Sequence, residues 1–332
     1  MADTHDNAGL MVRRFGPAAE VITLEDCPAP PPGPGQVRVR MRCAAINPSD
    51  LISISGAYRS RTSLPFVGGF EGLGVVEDLG AGVTGLRPGD RVLPLGSAGA
   101  WQQVKLTAAD WCFAVPDALD DAQAATSYVN PMTAWLMLTE ATRLTPDSRV
   151  AISAAGSVIG RMLVRLVNAQ GLRPLVIVRR AASRDLLRGL SLEDVIVTDG
   201  GADCTAWLRA GWGGLGPTLA LDAVGGATGQ AMIDALSPGG TMLHYGLLSG
   251  RPLGQDRPLR RDVRFALFAL RTWVHGQPRA RVAEALAATA RLVADGTLAS
   301  PVAQRFDLAA YRDALAAQDR PGRDGKILFG LS

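Results

Sequence analysis

The sequence predicts an α/β protein in which a doubly wound parallel sheet is joined to an irregular β-barrel domain. Its 332 residues exceed one ordinary domain and fall short of three. Residues 1–110 are rich in glycine and proline and contain short strand-like runs, whereas apolar strands alternate with helices from Arg149 to about Trp273. Because parallel strands need crossover helices, this alternation is typical of a doubly wound sheet.

The N-terminal domain is predicted from runs with a period of two. Apolar side chains at Val37, Val39, Met41 and Cys43 alternate with arginines, as in a half-buried strand. Similar runs follow at Gly74 to Asp78, Arg91 to Leu95 and Gln103 to Leu106, before Ala-rich helices at Asp120 to Ser127 and Met132 to Thr142.

The alternating region predicts parallel strands separated by helices. The strands are expected at Val150 to Ser153, Leu175 to Val178, Val195 to Val197, Leu219 to Asp222 and Thr241 to Tyr245. The helices are expected at Val158 to Ala169, Ala182 to Leu190, Cys204 to Ala210 and Thr228 to Leu236.

The C-terminal segments are too few for a third domain and are expected to complete the first. They comprise a helix at Arg281 to Asp295, a strand at Val302 to Phe306, a helix at Leu308 to Gln318 and a strand at Ile327 to Leu331. The predicted domains are therefore residues 1–125 with 274–332, and residues 126–273.

Composition excludes several classes of function. The net charge is +3, and no basic block could track a phosphate backbone, so nucleic acid is not an expected partner. The four cysteines lack C-x-x-C spacing, which argues against a zinc site formed by cysteine thiolates. Met1 to Leu10 lacks the basic and apolar regions of a secretory signal, and no apolar run reaches the ~20 residues that span a bilayer. A cytoplasmic protein without membrane partners is expected.

The turn after the first strand of the sheet is a candidate phosphate cradle. Ser153 to Gly160 reads S-A-A-G-S-V-I-G and leads into a helix, whose N-terminus favours anions. Only Gly160 survives from the G-x-G-x-x-G pattern, with Ala155 and Ser157 at the other two places. A plain tight turn remains an alternative.

The second strand of the sheet ends in Arg179 and Arg180. An NAD enzyme presents an acidic residue to the ribose 2′-hydroxyl at this place, whereas positive charge suits the 2′-phosphate of NADP. This favours NADPH as the cofactor. The alternative is an exposed loop in an Arg-rich protein.

Several segments together resemble the zinc-free medium-chain dehydrogenase/reductases, and among them the 2-enoyl thioester reductases of the mitochondrial type. They are Asn47 to Asp50 with Gly56 to Tyr58, Val67 to Gly72, Arg87 to Asp90, Val129 to Ala134, Tyr245 with Gly246, and Arg261 to Val263 leading to Phe268 and Trp273. The resemblance covers nearly the whole chain. It implies a Rossmann-type cofactor domain and a GroES-like catalytic domain.

The resemblance also implies catalysis without a metal. In zinc-using relatives a Cys and a His hold the catalytic metal at places that match Asn47 and Phe70, and neither is a plausible substitute ligand. The absence of that metal disfavours alcohol dehydrogenation.

Conjugate reduction needs a hydride for the β carbon and a proton for the α carbon. The resemblance assigns the proton to Tyr58, which keeps the family's spacing from Asn47, and a neutral phenol can protonate a developing enolate. The alternative is a ring packed at a domain edge.

The family's cofactor contacts are carried over residue by residue. They fall on Asn130, Gly156, Ser157, Val158, Ile159, Arg179, Arg180, Ala181, Tyr245, Gly246, Leu247, Leu248, Phe268, Ala269, Leu270 and Lys326. Lys326 has the alternative of a solvated turn lysine. Val158 replaces a small residue in the phosphate turn and could shift the pyrophosphate.

The pocket departs from the family's pattern. Leu267-Phe268-Ala269-Leu270 stands where the family has Gly-Phe-Trp-Leu beside the nicotinamide and substrate. The loss of an indole should reshape the pocket, which favours a branched, cyclic or aromatic conjugated substrate over a straight chain.

The sequence therefore predicts an NADPH-dependent enoyl reductase acting on a small or thioester-linked substrate, carried by coenzyme A or an acyl carrier protein. A quinone reductase without a role for Tyr58 and a non-catalytic NADP-binding sensor or structural protein are the alternatives. A homodimer is expected through the cofactor domains, because Gly240 to Leu248 would otherwise leave an unpaired edge strand.

Overall fold

The computed structural model describes residues 7–199, 203–254 and 258–331, with the backbone alone described at Arg61. Residues 1–6 belong to the N-terminal segment that is predicted to contain no secretory signal, and they lie outside the described residues. The contacts divide the chain into two compact units, Met1–Val129 with Val274–Ser332, and Asn130–Trp273.

The N-terminal elements of the first unit are mostly strands. They are β1 (Ala8–Val12), α1 (Ala18–Val21), β2 (Ile22–Asp26), β3 (Gln36–Ala45), α2 (Pro48–Ser55), β4 (Phe66–Val67), β5 (Gly72–Leu79), β6 (Arg91–Pro94), β7 (Val104–Ala108), β8 (Cys112–Ala114) and α3 (Asp121–Ala125).

The second unit alternates strands and helices. Its elements are α4 (Val129–Leu136, beginning at the boundary), β9 (Val150–Ile152), α5 (Val158–Ala169), β10 (Leu175–Val178), β11 (Asp194–Val197), α6 (Thr205–Gly214), β12 (Leu219–Asp222), α7 (Gly226–Ala235), β13 (Thr241–His244), β14 (Arg264–Leu267) and α8 (Leu270–Gly276).

The chain ends in the first unit with α9 (Arg279–Ala294), β15 (Val302–Asp307), α10 (Tyr311–Asp319) and β16 (Lys326–Gly330). β16 pairs antiparallel with β3 and parallel with β15, so the C-terminal strands extend the sheet begun near the N-terminus.

The first unit contains two sheets. One has the order β2-β1-β4, and the other runs β15-β16-β3-β5-β6-β8, with β7 also paired to β3. On β3 the side chains of Val37, Val39 and Met41 are fully buried, as their alternation with arginine predicts. They share a core with Trp101 and Phe329, whose rings meet edge to face at 5.6 Å.

The second unit is built on a six-stranded sheet of order β11-β10-β9-β12-β13-β14, in which every pairing is parallel. Strands β9, β10 and β12 are buried throughout, as expected for a parallel sheet covered on both faces. The chain first adds β10 and β11 on one side of β9. It then returns to add β12, β13 and β14 on the other side. The predicted α/β fold class is confirmed, and the switch between β9 and β12 marks the edge at which such sheets bind ligands.

Three helical segments differ from the predictions in geometry as well as in bounds. The helix expected to reach Thr142 ends at Leu136 and continues as a wider π turn, Met137–Ala141. The segment after Arg180 is a 3₁₀ helix, Ala181–Leu187. In α6 the backbone leaves helical geometry over Gly211, Trp212 and Gly213, and φ is positive at Trp212 (53°) and Gly213 (69°).

The prediction of an edge strand within Gly240 to Leu248 is wrong. Its strand, β13, lies between β12 and β14, and the edge is β14. β14 was missed because all four of its residues are exposed and show no apolar alternation. In the part of the chain that the structure describes, no helix is long and apolar enough to cross a membrane.

Candidate active site

The predicted phosphate cradle is the turn between β9 and α5. Ala154 takes a left-handed φ of 49°, and Ser157 caps α5 by accepting a hydrogen bond from Gly160 N at 3.1 Å. The N–H groups of the first helical turn have no intrahelical acceptor, so Val158 and Ile159 begin a helix suited to an anion. The turn before this helix carries only small residues, Ala154 to Ser157, whereas Val158 and Ile159 are branched.

Two glycines permit close backbone packing at this edge. A Cβ on Gly160 would lie 2.5 Å from Ala154 O, so no other residue fits between α5 and the turn. A Cβ on Gly246 would lie 2.8 Å from Ala223 O. Gly160 thus retains the packing role of the last glycine in the dinucleotide pattern.

Arg179 and Arg180 follow β10 at the same edge of the sheet. Arg179 is exposed and Arg180 half-buried, and among the described residues neither guanidinium has a hydrogen-bond or ion-pair partner. Nearby, Arg184 donates to Val195 O at 3.1 Å and Arg188 to Asp185 at 2.8 Å. The predicted pair therefore keeps its donors for a ligand, whereas its neighbours are engaged within the protein.

The segment after β13 lies at the same edge. Tyr245, Gly246 and Leu247 are half-buried, and Leu248 is exposed. The Tyr245 hydroxyl is buried without a hydrogen-bond partner in the described part of the chain, and burial raises the pKa of Tyr245. A buried hydroxyl without a partner is suited to a hydrogen bond with a polar group of a bound ligand.

The predicted contacts after β14 differ in exposure. Phe268 is half-buried and its N–H donates to His244 O at 2.9 Å, Ala269 is exposed, and Leu270 starts α8. Leu267 is 71% exposed. Asn130 is a half-buried residue near the start of α4, and Ala181 is exposed at the start of the 3₁₀ helix.

Most of the predicted cofactor residues therefore meet at one edge. Residues 156–159, 179–181, 245–248 and 268–270 follow β9, β10, β13 and β14, and the carboxyl ends of parallel strands share one edge of a sheet. Asn130 and Lys326 do not lie on these turns.

Tyr58 follows α2 in the first unit and is half-buried. Asn47 and Asp50 form a capping box at the start of α2, and Gly56 ends the helix with a left-handed φ of 89°. Both ends of α2 are thus fixed. Because Tyr58 follows closely after α2, its position is fixed as well.

Lys326 is not the solvated lysine that a turn position suggests. It is 3% exposed, its ammonium group donates to Asn47 Oδ1, and Glu71 Oε1 lies 3.6 Å away. Asn47 Nδ2 also donates to Glu71 Oε1 at 2.9 Å, and Glu71 Oε2 accepts from Val129 N at 2.6 Å. Burial lowers the pKa of Lys326, opposed by Glu71.

Asp50 completes this buried network. Its carboxylate accepts hydrogen bonds from Asn47 N at 2.7 Å and from Phe70 N at 2.9 Å. Burial raises the pKa of Asp50 to about 7, while those hydrogen bonds and Lys326 oppose the rise. Asp50, Glu71 and Lys326 thus place three ionisable groups beside the start of α2.

Phe70 contributes only its backbone N–H to this network. Within residues 7–199, 203–254 and 258–331, no three His, Cys, Asp or Glu side chains are grouped so that they could hold a metal ion.

Sequence reasoning missed a second hydrogen-bond network. It lies at the cofactor edge, the edge of the parallel sheet where the predicted cofactor contacts meet. The buried Asp222 carboxylate accepts a hydrogen bond from Ser153 Oγ at 2.7 Å and lies 2.8 Å from His244 Nδ1. The one signal available was that Ser153 and Asp222 end predicted strands and that His244 is the last but one residue of another.

Two family models match the chain. The family model described as "Alcohol dehydrogenase GroES-like domain" matches residues 33–117, and that described as "Zinc-binding dehydrogenase" matches residues 193–328. The human mitochondrial enoyl-[acyl-carrier-protein] reductase is 31% identical over 329 residues, which cover 97% of this chain and 88% of the human protein.

Two solved structures extend the comparison. A Bacillus thuringiensis protein assigned as an NADPH:quinone reductase is 32% identical, with a TM-score of 0.88 and 98% of each chain covered. A 2-haloacrylate reductase is 28% identical, with a TM-score of 0.81 over 97% of this chain and 99% of the other.

A parallel dinucleotide-type sheet joined to a GroES-like unit defines a class, the medium-chain dehydrogenase/reductases. The resemblance seen in the sequence motifs is confirmed. Within that class, the chain belongs to the family of the mitochondrial enoyl-[acyl-carrier-protein] reductases.

Proposed function

We propose that the chain is an NADPH-dependent reductase, without a catalytic metal, of the carbon–carbon double bond of an enoyl thioester or a similar conjugated carbonyl compound. The observation that carries the proposal is the sheet edge at which the predicted dinucleotide contacts meet. The full-length similarity to an enoyl reductase supports the choice of substrate.

The cofactor residues divide the work of binding. The turn Gly156–Ile159 offers backbone N–H groups and the N-terminus of α5 to the pyrophosphate. Arg179 and Arg180 offer uncommitted donors to the 2′-phosphate. When bound, NADPH supplies the hydride that reduces the β carbon of the substrate.

Tyr58 supplies the proton in the proposed reaction. As the β carbon accepts hydride, the double-bond electrons move toward the carbonyl, and the α carbon then takes a proton from the Tyr58 hydroxyl. The phenolate left behind regains a proton from solvent, because Tyr58 is only half-buried. The fixed ends of α2 hold the turn that carries this hydroxyl.

Tyr58→Phe tests the proposal. The variant should bind NADPH as the wild type does and reduce crotonyl thioester more slowly, by about two to four orders of magnitude, as for a lost general acid. The matched control is Tyr311→Phe, which removes a buried hydroxyl that donates to Ile22 O at 3.3 Å in the same unit. Its turnover should remain close to that of the wild type.

Near-wild-type turnover of Tyr58→Phe on the best substrate would remove Tyr58 from the mechanism. A quinone reductase is the second candidate, favoured by the structure assigned as an NADPH:quinone reductase. Faster turnover of a simple quinone than of crotonyl thioester, insensitive to Tyr58→Phe, would establish it instead. Tight NADPH binding without turnover of any enone, enoyl thioester or quinone would indicate a sensor.

A further inference from the structure

The carboxylate of Asp222 lies at the carboxyl end of β12, at the sheet edge where the predicted cofactor contacts meet. It is fully buried, and its two oxygens face four donors. These are Ser153 Oγ at 2.7 Å and Val224 N at 3.0 Å on Oδ1, and Gly225 N at 2.9 Å and His244 Nδ1 at 2.8 Å on Oδ2. With the proton of the imidazole on Nδ1, His244 is the fourth donor to this carboxylate.

These bonds join the carboxyl ends of three strands. Ser153 follows β9 and is the first residue of the phosphate turn, whereas His244 ends β13 and immediately precedes Tyr245. Ser153 Oγ also accepts from Ala223 N at 2.9 Å, so its hydroxyl is fixed in both of its roles. One carboxylate therefore links the start of the phosphate turn to the start of the segment Tyr245–Leu248.

The segment Tyr245–Leu248 rests on the chain around Asp222. Tyr245 N donates to Asp222 O at 2.9 Å, and Leu248 N donates to Ala223 O at 3.0 Å. Gly246 packs so closely against Ala223 that a Cβ would clash. A shift in the chain at Asp222 would therefore be passed directly to this segment.

Helix α7 holds Asp222 from the other side. The N–H groups of Val224 and Gly225, just before α7, point at the carboxylate, and a negative charge is favourable at a helix N-terminus. A Cβ on Gly229 would lie 2.6 Å from Asp222 Oδ2, so this glycine lets the helix pack onto the carboxylate. Asp222 is thus clamped, and His244 is its only side-chain partner on β13.

We propose that Asp222 and His244 form a positioning pair for the bound dinucleotide. The pair acts through the phosphate turn and through Tyr245–Leu248, which it holds at a fixed separation. The inference rests on the proposed binding of NADPH and adds two residues that do not themselves touch the cofactor. Neither belongs to the set of contacts predicted from the family.

The test compares His244→Leu, which removes the donor, with His244→Asn, whose side-chain amide can donate from nearly the same place as Nδ1. NADPH binding is measured by fluorescence titration, alongside kcat, KM for NADPH and the melting temperature. His244→Leu should raise the Kd for NADPH about five- to tenfold, since hydrogen bonds to charged groups are strong. At saturating NADPH its kcat should stay within about twofold of the wild type, and His244→Asn should restore most of the affinity.

Thr289→Val is the matched control. It removes a fully buried hydroxyl that donates to Ala285 O at 3.0 Å in the first unit, and it should lower the melting temperature without changing the Kd. Asp222→Asn should weaken binding at least as much as His244→Leu. If that variant does not fold, the two His244 variants decide the matter.

Wild-type affinity in His244→Leu would overturn the inference, as would equal losses in His244→Leu and His244→Asn. In either case the NADPH-dependent function would stand. Failure of the wild type itself to bind NADPH would overturn the proposed function together with the inference.

Discussion

We expect the two uncommitted arginines after β10 to favour NADPH over NADH. Replacing both Arg179 and Arg180 with alanine should lower kcat/KM for NADPH by about two to four orders of magnitude, because each charge-assisted hydrogen bond contributes about 1.5–3 kcal/mol. The value for NADH should change little. Steady-state kinetics with both cofactors measures the effect.

The same stretch provides the control. Arg184 and Arg188 already bond within the protein, so their double replacement with alanine should leave the cofactor preference intact. Equal efficiency with NADH and NADPH in the unmodified enzyme would contradict the assignment of Arg179 and Arg180.

Asp50 should make the stability of the protein depend on pH. Its pKa is raised from 3.8 to about 7 by burial, so the native state holds the proton more tightly than the unfolded chain. The stability that this group contributes is fully present below its unfolded pKa and is lost as the pH rises through about 7.

Urea unfolding from about pH 5 to about pH 8 measures this contribution. The free energy of unfolding of the wild type should fall relative to that of Asp50→Asn, whose side chain stays neutral throughout. Asp78→Asn, at an exposed site, should run parallel to the wild type. Parallel curves for the wild type and Asp50→Asn would contradict the raised pKa.

Single residues could be predicted from the sequence only where a motif fixes them. Gly160 and the arginines after β10 are predicted from the dinucleotide pattern, and in the structure Gly160 lies in the first turn of α5 and the arginines directly follow β10. Asp222 and His244 lie 22 residues apart and carry no motif. Their contact arises because β12 and β13 pair in parallel with Asp222 opposite His244, a register that local sequence does not state.

Among the elements, β14 is the strand at which we expect two copies of the chain to associate. This strand forms one edge of the sheet, and it carries Phe265 and Leu267, which are 37% and 71% exposed. An unpaired strand edge with apolar side chains is a template for pairing with a second copy. We therefore expect a homodimer through β14 instead of through Gly240 to Leu248.

Charges on β14 should abolish that dimer. The double variant Phe265→Glu and Leu267→Glu should shift the mass measured by light scattering at micromolar concentration from dimer to monomer. Val195→Glu, on the opposite edge strand β11, is the control and should remain dimeric. A monomeric wild type, or a dimer that survives both glutamates, would show that β14 is not the interface.

The strands that could be predicted are those whose burial follows a simple rule. β3 alternates because one face is buried, and β10 and β12 are continuously apolar because both faces are covered. The two-residue strand β4 gives no such signal. It forms by pairing with β1, more than fifty residues earlier in the chain, so only tertiary context reveals it.

At the scale of the whole molecule, the chain leaves one unit and later returns to it. The first unit contains residues from both ends, joined where β16 pairs with β3. Such pairing between distant segments closes a long loop, which slows folding. The second unit, by contrast, is built from consecutive strands and helices, and its one long crossover runs from β11 back past β10 and β9 to β12.

Both lysines of the chain lie inside the first unit, and this makes them chemical reporters. Lys105 is 2% exposed, its ammonium group donates to Pro94 O and Ser97 O, and burial lowers its pKa to about 8; Lys326 is 3% exposed. An amine-reactive acylating reagent should therefore leave both side chains unmodified until the unit opens. Peptide mass mapping over time should show the two sites reacting together, far more slowly than after denaturation, so that their rate gives the opening equilibrium of this unit. Rapid acylation of either lysine in the folded protein would mean that its ammonium group is accessible.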